Sequence, residues 1–139
     1  MQLLCADKFS EAHLDAFRAL GLKVAYRPDL AAAELPQAIP GVAILVVRST
    51  EVSAQTIAAA DSLTLIVRAG AGVNTIDRAA ASARGIFVAN CPGRNAVAVA
   101  ELALALLLAV DRRVPEQVAD ARAGTWNKKE YGKAERLAE

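Results

Sequence analysis

Aromatic residues are scarce: Phe, Tyr and Trp together make up 4% of the chain. The apolar mass is therefore Ala, Leu and Val, a composition that suits helices packed closely on a buried sheet. Cysteine is nearly absent too. Cys5 and Cys91 stand far apart and form no Cys-x-x-Cys pair, which excludes the usual metal and redox spacings; two reduced thiols of a cytosolic protein are the plain reading. Neither sign of charge is in excess, with 16 basic against 15 acidic residues and a net charge of +1. That balance argues against the clustered basic footprint of a nucleic-acid binder and gives no reason to expect a polybasic membrane patch. The one histidine, His13, falls on a predicted helix beside an apolar stripe and is read as structural or surface. No Ser/His/Asp or Cys/His arrangement can be built from it. The Gly-x-Gly-x-x-Gly pattern that cradles a dinucleotide pyrophosphate is missing. So is a basic segment followed by an apolar run and a small-residue cleavage site, the mark of a signal peptide. The most apolar stretch, Ala96 to Val110, contains Glu101 and is too short to span a bilayer. It reads as a buried helix of a soluble, cytoplasmic protein.

What is present is an alternation of strand-length and helix-length segments. At 139 residues the chain can bury roughly two-thirds of its unfolded surface. Gln2 to Ala6, Leu22 to Tyr26, Val42 to Val47, Leu63 to Val67 and Ile86 to Ala89 read as strands. The third is continuously apolar and rich in Val and Ile, as a strand covered on both faces should be. Between them, a helix capped by Ser10 runs to Leu20 and ends at Gly21, with Leu14, Phe17 and Leu20 at helical spacing. Leu30 to Ala38, a Ser53-capped segment through Ala60, and Thr75 to Arg84 are further helices. Asp77 early and Arg84 late in the last of these complement the helix dipole. The order βαβαβαβαβ predicts an α/β fold, a parallel five-stranded sheet with helices on both faces. From Asn95 a long helix runs to about Arg113. Pro115 then opens another helix that Gly124 ends, and a polar tail follows from Trp126 to Glu139.

Open α/β sheets bind ligands outside the carboxyl ends of their strands. Arg48, Ser49 and Thr50 follow the third strand, the segment from Arg68 to Asn74 follows the fourth, and Asn90 to Asn95 follow the fifth. If those strands are neighbours, the three loops share one rim, and that rim suits an anion. Gly70 and Gly72 remove side-chain bulk, so that backbone N–H groups can turn toward a carboxylate or phosphate. Arg48 offers a planar fork and Ser49 a hydroxyl. Asn95 opens the long helix as a natural cap, and an anion there gains from the helix dipole.

Each residue also has a plainer reading. A Gly-x-Gly after a strand is often only a tight turn. Arg48 could be a solvated loop residue, Arg68 a structural partner of Asp61 or Asp77, and Asn95 only a cap. Glu101 reads as a buried partner for an arginine or as an orienting group for the rim, with the structural role favoured. Convergence of three loops favours a ligand site more than any one motif does.

Several ordered motifs resemble a known family. Val-Arg-Ser-Thr at 47–50, Arg-Ala-Gly-Ala-Gly-Val-Asn-Thr-Ile-Asp at 68–77 and Asn-Cys-Pro-Gly-Arg-Asn at 90–95 come first. Ala-Val-Ala-Glu-Leu-Ala-Leu at 98–104, Asp-Arg-Arg-Val-Pro at 111–115 and Arg-Ala-Gly-Thr-Trp at 122–126 follow. Together they resemble the N-terminal part of D-2-hydroxyacid dehydrogenases, within which they are most similar to the phosphoglycerate dehydrogenases. The likeness is strong from Val42 to Trp126 and weak over the first forty residues.

The resemblance implies a two-domain, homo-oligomeric enzyme that oxidises 3-phosphoglycerate to 3-phosphohydroxypyruvate in serine biosynthesis. Residues 1–94 would be its flavodoxin-like substrate-binding domain, 95–123 its interdomain helices, and 124–139 a polar tail leading to a Rossmann domain that binds NAD and is absent from this chain. It implies substrate contacts from Arg48 and Arg68, and receipt of the substrate carboxylate by the backbone of Gly70, Ala71 and Gly72; the rim adds Ser49, Val73 and Asn95 to the candidate substrate-binding residues. Ala71 would also lie close to the cofactor. Many relatives carry Thr at the Ala71 position and Asp at the Asn74 position, so backbone donation is what carries over there. The family's catalytic Arg, Glu and His lie in or after the nucleotide domain, so this chain is expected to hold no catalytic residue, to bind no metal and to be inactive alone.

Other readings remain. Another substrate class of the same family, of the glyoxylate, hydroxypyruvate, D-lactate or formate type, is one; Arg48, Arg68 and Lys128 or Lys129 favour a doubly anionic substrate. A stand-alone flavodoxin-like anion-binding module is another. A phospho-receiver needs a carboxylate after the third strand, where Arg48 to Thr50 stand. A flavodoxin needs a hydroxyl-rich loop after the first strand, where Asp7-Lys8-Phe9 stand. Without a partner domain, the apolar helix from Ala96 to Val110 is expected to cause association or to be partly disordered.

Overall fold

The structure is a computed structural model and describes residues 1–133. The chain divides after Arg94 into two compact units.

The first unit is built on strands β1 (Gln2–Cys5), β2 (Lys23–Tyr26), β3 (Ile44–Val47), β4 (Leu65–Arg68) and β5 (Phe87–Asn90). All pair in parallel, in the order β2-β1-β3-β4-β5. This is the flavodoxin-like order, in which the chain reverses direction across the sheet between β1 and β3. The helices are α1 (Glu11–Ala19), α2 (Leu35–Ala38), α3 (Ala54–Ala59) and α4 (Arg78–Ala83).

Side chains of a strand alternate between faces, and the core divides accordingly. Leu3, Cys5 and Val46 pack with Leu14 of α1 on one face. Leu4, Leu45, Val47 and Ile66 point to the other, where Leu35, Ile57 and Ala81 bring in α2, α3 and α4. Leu45 and Val47 are fully buried and Val46 is 3% exposed, so β3 is covered on both faces as its unbroken apolar run predicts. Cys5 is buried, and that burial pushes its thiol up to about 11.

Local signals set the element ends. Ser53 Oγ accepts from the Thr56 N–H and caps α3, and Asp77 does the same for Ala80 at α4. Helix α4 therefore starts at Arg78 rather than Thr75. It ends in a Schellman turn: the N–H of Gly85 reaches Ser82 and that of Ile86 reaches Ala81. Gly85 has φ +66°, a conformation glycine adopts without penalty. Ser10 precedes α1 without a side-chain cap bond; its hydroxyl lies 2.5 Å from His13 Nδ1 instead. The segment predicted as a helix from Leu30 to Ala38 is a 3-10 turn, Ala32–Glu34, followed by the single turn of α2. Pro36 allows no longer regular run, because it lacks the donor a helix interior needs.

The second unit contains α5 (Ala96–Asp111), α6 (Val114–Arg122) and a 3-10 turn at Glu130–Lys133. Arg113, at φ 49°, turns the chain between the helices, and a Schellman turn at Gly124 closes α6. The Arg113 guanidinium pairs with Glu130 at 2.8 Å and lies 5.0 Å above the Tyr131 ring. The expectation of a buried helix over Ala96 to Val110 is not met: α5 has no buried residue, and Val97, Leu102 and Leu104 are 73%, 59% and 61% exposed. The helix is apolar around its circumference, so no single face could bury it. Glu101 is likewise exposed and is not a buried partner of an arginine. The part of the polar tail after Lys133 lies outside the described residues. No helix among the described residues is long and apolar enough to cross a membrane.

Candidate functional site

Because β1, β3, β4 and β5 are parallel neighbours, the segments leaving their carboxyl ends emerge along one edge of the sheet. The three loops expected to share a rim within this unit do so, and hydrogen bonds tie them together. Past β3, the N–H of Val52 donates to the Thr75 carbonyl at 2.8 Å, and the N–H of Asp77 to the Val52 carbonyl at 3.0 Å. Past β5, the N–H of Cys91 donates to the Gly70 carbonyl at 3.0 Å, and Asn90 Nδ2 to the Ala71 carbonyl at 2.6 Å.

Of the arginines in the rim loops, Arg48 and Arg68 are the expected substrate contacts. Arg48 is exposed, and its side chain has no hydrogen bond or ion pair among the described residues. Arg68, the last residue of β4, is half-buried, and its Nε is buried without a partner. Neither carboxylate considered for it is engaged with it. Asp61 accepts from the Gly41 N–H at 2.7 Å, and Asp77 is committed to α4. A buried guanidinium nitrogen without an acceptor is costly in a finished fold, so the rim has one donor to offer an anion from within.

The glycine loop divides its tasks. The N–H of Gly70 donates to the Arg68 carbonyl at 2.8 Å and is committed there, so Gly70 itself does not donate outward. Its lack of a side chain serves Arg68, whose guanidinium lies where a Cβ would be. The N–H groups of Ala71, Gly72 and Val73 carry no hydrogen bond among the described residues. A Cβ on Gly72 would come within 3.0 Å of Asn74 Oδ1. These are the donors the loop can present to a carboxylate.

Asn95 belongs to the second unit, where it precedes α5 without a side-chain cap bond. At φ -112° and ψ 10° its backbone is not in the extended conformation that aims a cap oxygen at the first turn.

One residue of the rim had no assigned role in the sequence reading. Asp7, just past β1, accepts the backbone N–H groups of Arg48, Ser49 and Thr50 on a single oxygen at 2.6, 3.0 and 3.1 Å. Thr50 Oγ1 adds a bond to the Ala6 carbonyl at 3.2 Å. Burial works to raise the Asp7 carboxyl, but the three backbone donors outweigh it and hold the pKa below the ordinary carboxylate value. The signal was available: applied to the first strand, the strand-end rule points to Asp7. Among the described residues no group of His, Cys, Asp and Glu could hold a metal ion.

The family model of the D-isomer specific 2-hydroxyacid dehydrogenase catalytic domain matches residues 3–134. The chain belongs to this family. A D-3-phosphoglycerate dehydrogenase from Archaeoglobus fulgidus is 41% identical over 132 residues, which is 94% of this chain and 25% of that protein. A protein of known crystal structure from Thermus thermophilus superposes with a TM-score of 0.77 at 37% identity, covering 91% of this chain and 42% of that one. The NAD+-bound 3-phosphoglycerate dehydrogenase of Entamoeba histolytica gives a TM-score of 0.69 at 28% identity, over 81% of this chain and 39% of its own. This member of the 2-hydroxyacid dehydrogenase family thus spans about a quarter of the length of the curated relatives it matches.

Proposed function

We propose that this chain is the substrate-binding portion of an NAD-dependent D-2-hydroxyacid dehydrogenase whose substrate is 3-phosphoglycerate. The observation that carries the reading is that, among the described residues, Arg48 and Arg68 have no carboxylate partner and stand on one rim with the unbonded N–H groups of Ala71, Gly72 and Val73. A doubly anionic substrate matches that inventory. Its carboxylate takes the backbone donors, which suit a planar anion. Its phosphate takes the guanidinium groups, whose forked donors match phosphate oxygens. The names of the similar curated relatives support the same substrate.

In such an enzyme these residues bind and orient. They hold C2 of the substrate in place, which lowers the entropic part of the barrier, and stabilise its charges through donors fixed in advance. NAD supplies the hydride acceptor when bound. The exposed backbone at Ala71, with a methyl side chain and glycines on both sides, is the part of this chain that fits a flat cofactor ring. The His13 imidazole is engaged with the Ser10 hydroxyl at the start of α1, and the Asp7 carboxylate is committed to three backbone N–H groups. In the proposed enzyme the acid–base groups come from the NAD-binding domain, and the 139-residue chain by itself is inactive. A homo-oligomeric, cytoplasmic enzyme is part of the proposal.

Steady-state kinetics of the whole protein that contains this chain test it. The expected result is a kcat/KM for 3-phosphoglycerate at least about a hundredfold above that for D-lactate or glycerate, the discrimination available when a site has guanidinium groups to satisfy. Equal values for phosphorylated and plain acids would move the assignment to another 2-hydroxy acid.

A further inference from the structure

Strand β3 ends at Val47, so the backbone donors of Arg48, Ser49 and Thr50 lie beyond the last rung of the ladder. Three successive N–H groups pointing to one spot form the concavity that proteins commonly use to seize an anion. Here the chain fills it with its own anion, Oδ2 of Asp7. Two consequences follow. These amides are taken, so the loop can meet a substrate only through the side chains of Arg48 and Ser49. In addition, pinning three consecutive amides to one oxygen fixes the backbone torsions between them, and with these the direction in which each Cα–Cβ bond leaves the loop.

We propose that Asp7 is a positioning residue for substrate binding: it holds the Arg48–Thr50 loop in the form that aims Arg48 at the substrate anion. The inference rests on the function proposed above. Asp7 touches no reacting atom and acts through Arg48. The bond from Thr50 Oγ1 to the Ala6 carbonyl, 3.2 Å, anchors the far end of the same loop. An internal comparison is available in Asp61, which accepts the Gly41 N–H at 2.7 Å ahead of β3, at the opposite edge of the sheet. A carboxylate of purely structural value should behave as Asp61 does.

The test uses the whole protein that contains this chain, with Asp7→Ala, Asp7→Asn and Asp61→Ala measured side by side for melting temperature, kcat and KM. Asp7→Ala is expected to raise KM for 3-phosphoglycerate about tenfold while kcat stays within about twofold, the pattern of lost binding common to ground and transition states. Asp7→Asn keeps an acceptor oxygen without its charge and should fall between Asp7→Ala and wild type; being isosteric, it also serves if Asp7→Ala does not fold. Asp61→Ala should lower the melting temperature and leave KM unchanged. An unchanged KM in both Asp7 variants overturns the inference, as does an equal rise in KM from Asp61→Ala. A wild-type protein that oxidises no D-2-hydroxy acid overturns the proposed function and this inference together. An active wild type with an indifferent Asp7 overturns this inference alone.

Discussion

The guanidinium of Arg68 occupies the space that a side chain at Gly70 would need: a methyl there would lie 2.7 Å from Arg68 Cζ. Gly70 is thus required by a neighbour two residues away rather than by its own torsions. Gly70→Ala forces the arginine head aside, and the head is the flexible end of a long side chain. The substitution should therefore cost little stability, under about 1 kcal/mol. It should still raise KM for the substrate several-fold, because Arg68 no longer sits on the rim. Thermal melting alongside steady-state kinetics checks this. A large fall in melting temperature with an unaltered KM would show that the glycine is needed only for the turn.

Asp7 makes the stability of the first unit depend on pH. Its pKa is lowered in the folded chain, so its stabilising contribution is complete above the unfolded-state value, about 3.9 for an aspartate. It is lost as pH falls through the lower folded-state value, where the folded chain also takes up the proton. The gap in denaturant midpoint between wild type and Asp7→Asn should therefore be constant from pH 7 to about pH 5 and should close in strong acid. A gap that widens on acidification would contradict the assignment.

Among the described residues the Arg48 side chain has no hydrogen bond or ion pair, so its removal leaves no buried charge stranded. Arg48→Met is expected to leave the melting temperature within about 0.5 kcal/mol equivalent of wild type and to raise KM by about tenfold or more, the worth of one charge-assisted contact. Arg48→Lys should recover only part of the loss, because an ammonium cannot form the two parallel bonds of a guanidinium. Full recovery would mean that charge alone matters.

Helix α5 exposes Leu102, Leu104, Leu106, Leu107 and Leu108, each more than half accessible. Monomeric proteins rarely leave such a continuous apolar surface to water. The 139-residue chain is expected to self-associate at micromolar concentration, and the double substitution Leu104→Glu and Leu107→Glu to shift it toward monomer. Sedimentation velocity checks this. A monodisperse monomer of the unaltered chain would sink the prediction.

Much of the fold could be read from short-range pattern. The continuous run at 42–47 and the Gly and Pro punctuation between segments locate five strands, and a β-α alternation leaves a parallel sheet as the economical solution. Boundaries moved where a local bond competed with periodicity. Asp77 became a cap and Pro36 broke a helix, whereas α1 starts after Ser10 as expected although the Ser10 hydroxyl faces His13. The site was legible as far as its loops, since strand ends mark it in any open α/β sheet. What stayed hidden depends on contacts distant in sequence. Asp7 and Arg48 lie 41 positions apart, and no spacing rule connects them. Helix α5 is not buried as its apolar content alone suggests, but it is uncovered as expected for a chain without its partner domain. Apolar content says that a segment needs covering, and says nothing of which surface covers it.

Whether the β3 and β4 loops together grip a dianionic 2-hydroxy acid is read most directly by titrating the isotope-labelled 139-residue chain with 3-phosphoglycerate and following the backbone amide and arginine side-chain shifts. Saturable shifts are expected at Ala71, Gly72 and Val73 and at the side chain of Arg48, with D-lactate giving weaker shifts at the same places. Shifts confined to other surfaces, or the same response to both acids, would contradict such a grip.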